Sequence, residues 1–288
     1  GKYSGDYFAV SNLAEKLNLV WVDEVLAGTQ IGPSSGILDS MEYKAWKPRK
    51  ITERKLKTFV SIIIPVLNQV EYTRAILENI RETVRTPHEI IVIDNNSTDG
   101  TTEMLKEFDV RVIRNKRNVG WPLSLNQGIR SISTRTSHIA FLNNDLFLPE
   151  GWLEILLAHG EHAICPMYSQ GGDPQKDFET YNKSLQSRPL EVKVADRPGF
   201  HPKGFSGFIF MISLEARDRV GLLDEDFLYW YADNDYCERL KAMGYQPMMS
   251  QNVLVHHFMN KTCNTLPDFI SQREKDRQTF LAKWGVNA

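Results

Sequence analysis

Four clusters of polar residues interrupt the apolar runs of this 288-residue chain, and each offers a distinct piece of chemistry. Asp94-Asn95-Asn96-Ser97-Thr98-Asp99 follows an apolar run and precedes a helical pattern. A carboxylate at that point can accept from a pyrimidine imide or from ribose hydroxyls, and Asp94 is read as that ligand. Ser97, Thr98 and Asp99 read first as helix caps. Asn143-Asn144-Asp145 sets an acid where it can hold a hard divalent cation through oxygen, and such a cation bridges two phosphates of a diphosphate. A plain Asn-Asp turn is the competing reading.

The third cluster has two acidic halves, Asp224-Glu225-Asp226 and Asp233-Asn234-Asp235, around the aromatic wall Phe227-Leu228-Tyr229-Trp230-Tyr231. Aromatic faces suit sugar rings, and a carboxylate facing them can take the proton of a hydroxyl. The alternative makes Asp233 a helix cap and the aromatics core. In the fourth, His256-His257, adjacent side chains on a strand point to opposite faces, so at most one reaches a site as metal ligand or phosphate donor.

For these clusters to act together, the elements between them must bring them to one edge. Val60-Ser61-Ile62-Ile63-Ile64-Pro65 is a β-branched run, as in a buried parallel strand. Tyr72, Ala75, Ile76, Ile80 and Val84 then recur at helical spacing. Strands are expected at 89–94, 110–113, 138–142, 207–212 and 252–255, and helices around Met104 to Phe108 and over 122–133, 152–159 and 233–243. Tyr168 to Pro202 is polar and poorly periodic and is read as a mobile excursion. Alternating strands and helices predict an α/β fold with a mostly parallel sheet covered on both faces, its ligands at the carboxyl ends of the strands.

In this order the segments resemble the inverting glycosyltransferase family 2, whose members share the Rossmann-like GT-A fold. The resemblance rests on Val60 to Asn68, Ile91 to Thr101, Asn118-Val119-Gly120, Asn126-Gln127-Gly128, Asn143-Asn144-Asp145, Gly207-Phe208, Trp230 to Cys237 and Val255-His256-His257. It implies that Pro65, Asn68, Asp94 and Asn96 hold the nucleoside. It implies that Asn118, Gly120, Asn126 and Gly128 shape the donor pocket, with Asn143 and Asn144 beside them. Asp145 would ligate Mn²⁺ or Mg²⁺, with His257 favoured over His256 as the histidine near metal and diphosphate. Asp233 would be the general base, and Gly207, Phe208, Trp230 and Tyr231 would meet the acceptor. Two departures stand out: Asn143 occupies the first acidic position of the family's Asp-x-Asp motif, and Ala232 replaces the usual acid before the base.

The resemblance implies a nucleotide-sugar donor, UDP favoured, and a glycan, lipid-linked, protein or other hydroxyl acceptor. A catalytically silent nucleotide-sugar binder and a nucleotidyltransferase are the alternatives, the latter disfavoured because Val66-Leu67-Asn68-Gln69 lacks a glycine-rich basic loop. With a formal charge of -2, the chain offers no global field for nucleic acid. Three widely spaced cysteines fit a reducing compartment, and no apolar run reaches the roughly 18 residues of a membrane span, so a cytoplasmic location is expected. Residues 1–57 read as an extension ending in a basic linker, 58–265 as the GT-A domain, and 266–288 as a C-terminal helix packed on it.

Overall fold

The computed structural model describes residues 58–174, 176–195, 204–259, 261 and 268–285. The extension and basic linker expected over 1–57 lie outside them.

β1 (Val60–Val66) is the axis of the fold. Parallel β2 (His88–Asp94) and β4 (His138–Leu142) flank it, and β3 (Arg111–Arg114) adds in parallel to β2. β8 (Ile209–Ser213) turns the direction, pairing antiparallel with β4 and with β6 (Ala163–Gln170). β9 (Met248–His257) continues in parallel to β6, and β5 (Leu146–Phe147) and β7 (Val192–Val194) pair antiparallel with β9. The order is β3-β2-β1-β4-β8-β6-β9-β5, with β7 also on β9. Thus β1, β2, β3, β4, β6 and β9 share one direction against β5, β7 and β8, as a mostly parallel sheet requires.

Alternation along the strands fills both faces. Ile62, Ile64, Ala140 and Met211 meet α1 (Val70–Thr83) and α4 (Trp152–Ala158) through Ile76, Ile80, Trp152 and Leu156. Ile63, Phe141 and Phe210 meet α3 (Trp121–Ile129) and α7 (Ala232–Ala242) through Leu125, Ile129, Tyr236 and Leu240. The remaining helices are α2 (Thr101–Met104, prolonged by a 3-10 turn), α5 (Phe178–Gln186), α6 (Leu214–Val220) and α8 (Phe269–Trp284).

The expected excursion over 168–202 is corrected where it is described: it holds the end of β6, α5 and β7. α5 shows no apolar period because its buried stripe is Phe178, Asn182 and Leu185. Its middle position is polar, and the Asn182 amide is satisfied by accepting from Leu254 N at 2.9 Å and donating to Phe178 O. The helix expected over 233–243 ends at Ala242, and Met243 falls just past it and is exposed.

β1 and β4 part where the site begins. Their pairing ends at Ile63 and Phe141, while β1 stays on β2 to Val66. Val66 O accepts from Asn95 N on the β2 side, so the neighbouring Pro65 nitrogen is directed to the β4 side, past the last pair, where a missing N–H costs no ladder bond.

Candidate active site

A cleft of about 430 Å³ opens at the carboxyl ends of β1, β2 and β4. Pro65, Asn95, Asn118, Gly120, Asn143, Asn144, Asp145, Gly207, Phe208, Trp230, Tyr231, Asp233 and His257 all contribute to its wall. Segments far apart in sequence therefore converge on one concavity.

Asp145 and His257 meet because of a two-residue ladder. β5 pairs Leu146 with His257, and Phe258 N donates to Asp145 O, which brings the acid beside the imidazole. His257 Nε2 stands 3.2 Å from Asp145 Oδ1, and the ring stacks on Phe208 with centroids 4.3 Å apart. That distance is within ion-pair range, yet Nε2 is buried and the geometry gives it no hydrogen-bond partner. A buried nitrogen and a carboxylate oxygen aimed at shared space fit a divalent cation. Among the described residues no group of three or more His, Cys, Asp or Glu that could hold a metal ion forms. His256 points away, its ring bonded to Ser169 Oγ and Gly172 O, each at 3.0 Å.

Asp233 lies in the first turn of α7 and is 9% exposed. It is not the cap: that position belongs to Tyr231, at φ 62°, and no side chain caps the helix. Its carboxylate accepts from Gly207 N at 2.8 Å and Asn234 N at 3.1 Å, which fixes its orientation at the cleft wall. A Cβ at Gly207 would stand 3.1 Å from both Asp233 Oδ2 and the Trp121 ring, so only glycine fits easily here.

The aromatic wall is held from two sides. Trp121 N donates to Leu228 O at 2.7 Å, and a Cβ on Gly120 would come within 2.5 Å of that same oxygen. Asn118 donates to Tyr229 Oη at 2.8 Å. From the other side the buried Asp276 of α8 accepts from the amides of Leu228, Tyr229 and Trp230 at 3.2, 2.9 and 2.8 Å. Phe280, also on α8, packs against Tyr231 with centroids 5.7 Å apart.

Four expected ligands do not reach the cleft. Asp94 is fully buried, and its carboxylate accepts from Ser97 N, Thr102 Oγ1 and Arg114 Nη1 at 2.8, 2.8 and 3.1 Å. It folds the strand-to-helix loop, and the next residue, Asn95, lines the cleft in its place. Asn68 accepts from Thr98 N at 2.8 Å and so clamps the same loop. Asn96 is exposed at φ 71°, outside the lining. Asn126 is buried in a reciprocal pair with Leu223, donating to its carbonyl at 2.8 Å and accepting from its amide at 2.9 Å. Gly128 instead sets the approach of α3 to the sheet: a Cβ there would lie 2.5 Å from Ile63 Cγ2. Sequence reasoning missed Asn95, Trp121, Tyr168, Lys261 and Arg273 in the wall. Only Asn95, inside the polar run, carried a local signal.

A GT-A glycosyltransferase fold is defined by this sheet, with its cleft at the strand ends between acids and an aromatic wall. The chain belongs to glycosyl transferase family 2, whose family model matches residues 61–221. An uncharacterised protein of Mycobacterium tuberculosis is 25% identical over 217 residues, which cover 71% of this chain and 76% of that one. Among solved structures, a mannosyltransferase from Pyrobaculum calidifontis in complex with GDP-mannose and Mn²⁺ is similar at TM-score 0.53 and 18% identity. The match covers 77% of this chain and 61% of that chain. Staphylococcus aureus TarS 1–349 with UDP-GlcNAc is similar at TM-score 0.52 and 14% identity, over 78% of this chain and 67% of its own.

Proposed function

We propose that this chain transfers a sugar from a nucleoside diphosphate donor, UDP favoured, to a hydroxyl acceptor in one displacement that inverts the anomeric centre. The carrying observation is that Asp233 lines the same cleft as the Asp145–His257 pair. Asp233 takes the acceptor hydroxyl's proton while that oxygen attacks the anomeric carbon from the face opposite the departing diphosphate. Gly207 N–H and Asn234 N–H hold the carboxylate in place for this. Asp145 and His257 would hold Mn²⁺ or Mg²⁺, which when bound stabilises the charge on the leaving diphosphate. Asn95, Asn118 and Asn144 offer amides to the donor, and Trp230 and Tyr231 offer ring faces to the acceptor sugar.

The donor reading is supported by the neighbours' complexes with GDP-mannose and UDP-GlcNAc. The acceptor class remains a glycan, a lipid-linked sugar, a protein or another hydroxyl compound. Replacing Asp233 by Asn tests the assignment: nucleotide affinity stays within about twofold, while turnover falls by roughly 10²–10⁴. A variant that turns over normally removes Asp233 as base.

A further inference from the structure

We infer that the C-terminal helix α8 completes the acceptor end of the cleft with an oxyanion-binding subsite at Arg273, a proposal that rests on the glycosyl-transfer reading above. α8 follows the segment matched by the family model, yet it holds the aromatic wall through Asp276 and Phe280. Arg273 sits one turn before Asp276 on the same helix and lines the cleft. Its Cζ lies 5.2 Å from the ring centroid of Trp230, whose amide Asp276 binds. Among the described residues Arg273 forms no ion pair or hydrogen bond, and it is the one arginine of the cleft wall. The other cation there, Lys261, stands elsewhere: its amide points at Asp145 Oδ2 from 3.5 Å, at the end that would hold metal and diphosphate.

A guanidinium lying over an indole face makes no hydrogen bond to it and keeps its N–H groups available, and their fork matches the two oxygens of a phosphate or carboxylate. Charge at the donor end is already answered by the proposed cation. The free guanidinium beside the acceptor wall therefore points to an acceptor that carries an oxyanion near the hydroxyl to be glycosylated.

The test uses the full chain with Mn²⁺ and, as donors in turn, UDP-GlcNAc, UDP-glucose and GDP-mannose. Acceptors are offered in pairs that differ by one charged group: glucose with glucose 6-phosphate, glycerol with glycerol 3-phosphate, galactose with galacturonic acid. For at least one pair the charged member should bind or react about tenfold better, roughly the 1.4 kcal/mol within reach of a charge-assisted hydrogen bond. Arg273→Gln should bring that ratio near one, and Arg273→Lys should restore part of it. Turnover is read from nucleoside diphosphate release, and where turnover is slow, binding to the UDP-loaded protein is read by saturation-transfer NMR. UDP affinity, measured by calorimetry with Mn²⁺, should not change in Arg273→Gln. A fall in UDP affinity would assign the guanidinium to the donor and overturn the proposal. So would equal handling of every pair, no acceptor binding by either readout, or a preference that survives Arg273→Gln. Failure of the wild-type chain to bind UDP at all would instead strike the glycosyl-transfer reading beneath it.

Discussion

At the scale of single residues, a carboxylate's role follows from what it faces. Asp94 ends β2 and Asp145 stands just before β5, but three donors consume the first, while the second faces a cleft and an unsatisfied imidazole nitrogen. Asp145→Ala should therefore lower UDP affinity at least about tenfold in Mn²⁺, with a much smaller effect when EDTA is present. Equal affinities for both proteins in Mn²⁺, by calorimetry, would count against a metal at Asp145. Asp99 does different work. Burial acts to raise its carboxyl pKa, but bonds from Thr101 and the Val70 amide outweigh this and hold it below the ordinary 3.8. A group with a depressed folded value stabilises the fold above its unfolded pKa, and that contribution is lost as pH falls through the folded value. Asp99→Asn should flatten the acid limb of a stability-versus-pH curve below about pH 4 and leave its slope near neutrality alone.

The elements are fixed by contacts that a single substitution can disturb. α3 lies so close on β1 that the Cβ of Gly128→Ala would meet Ile63 Cγ2 at 2.5 Å. That overpacking should cost about 1–3 kcal/mol in urea unfolding and shift α3, whose N-terminal residue Trp121 lines the cleft. Wild-type stability in this variant would mean that the helix moves freely over the sheet. α8 acts on a loop instead. Its Asp276 satisfies three consecutive amides just before Tyr231, a non-glycine residue in the left-handed region at helix α7's start. The loop's path to Asp233 thus depends on a residue some forty positions later.

At the scale of the molecule, the cleft gathers β1, β2, β4 and the loop before α7 around one ligand volume, so a bound donor should stabilise the whole domain. UDP with Mn²⁺ at about 100 times its Kd should add roughly 2.7 kcal/mol, visible as a rise in Tm that Mn²⁺ alone does not give. GDP run alongside tests the base preference, and a flat response to both would remove the nucleotide from the cleft. Among the described residues no helix is long and apolar enough to cross a membrane. Much of this architecture was legible in sequence. β-branched runs announced β1 and β2, and the polar clusters after β2 and β4 marked their carboxyl ends, because buried parallel strands and their loops leave that pattern. The region after Tyr168 was not, because β6 and β7 owe their place to β9, and α5 carries an asparagine in its buried stripe.

The sequence by itself determined the α/β class, the strand ends at which chemistry gathers, and the clusters that hold Asp145, Asp233 and His256-His257, since periodicity and local polarity are written along the chain, while the choice of Asp233 and His257 within them rested on the family resemblance. Only the tertiary structure decided which polar residues face the cleft. Asp94 and Asn126 resemble their neighbours in composition, yet Arg114 and Leu223 claim them through strand register and loop packing. Arg273 and Lys261 enter the wall through chain returns that no local pattern records. Side-chain partners at long sequence separation are set by packing, and that is where the division between scaffold and site was made.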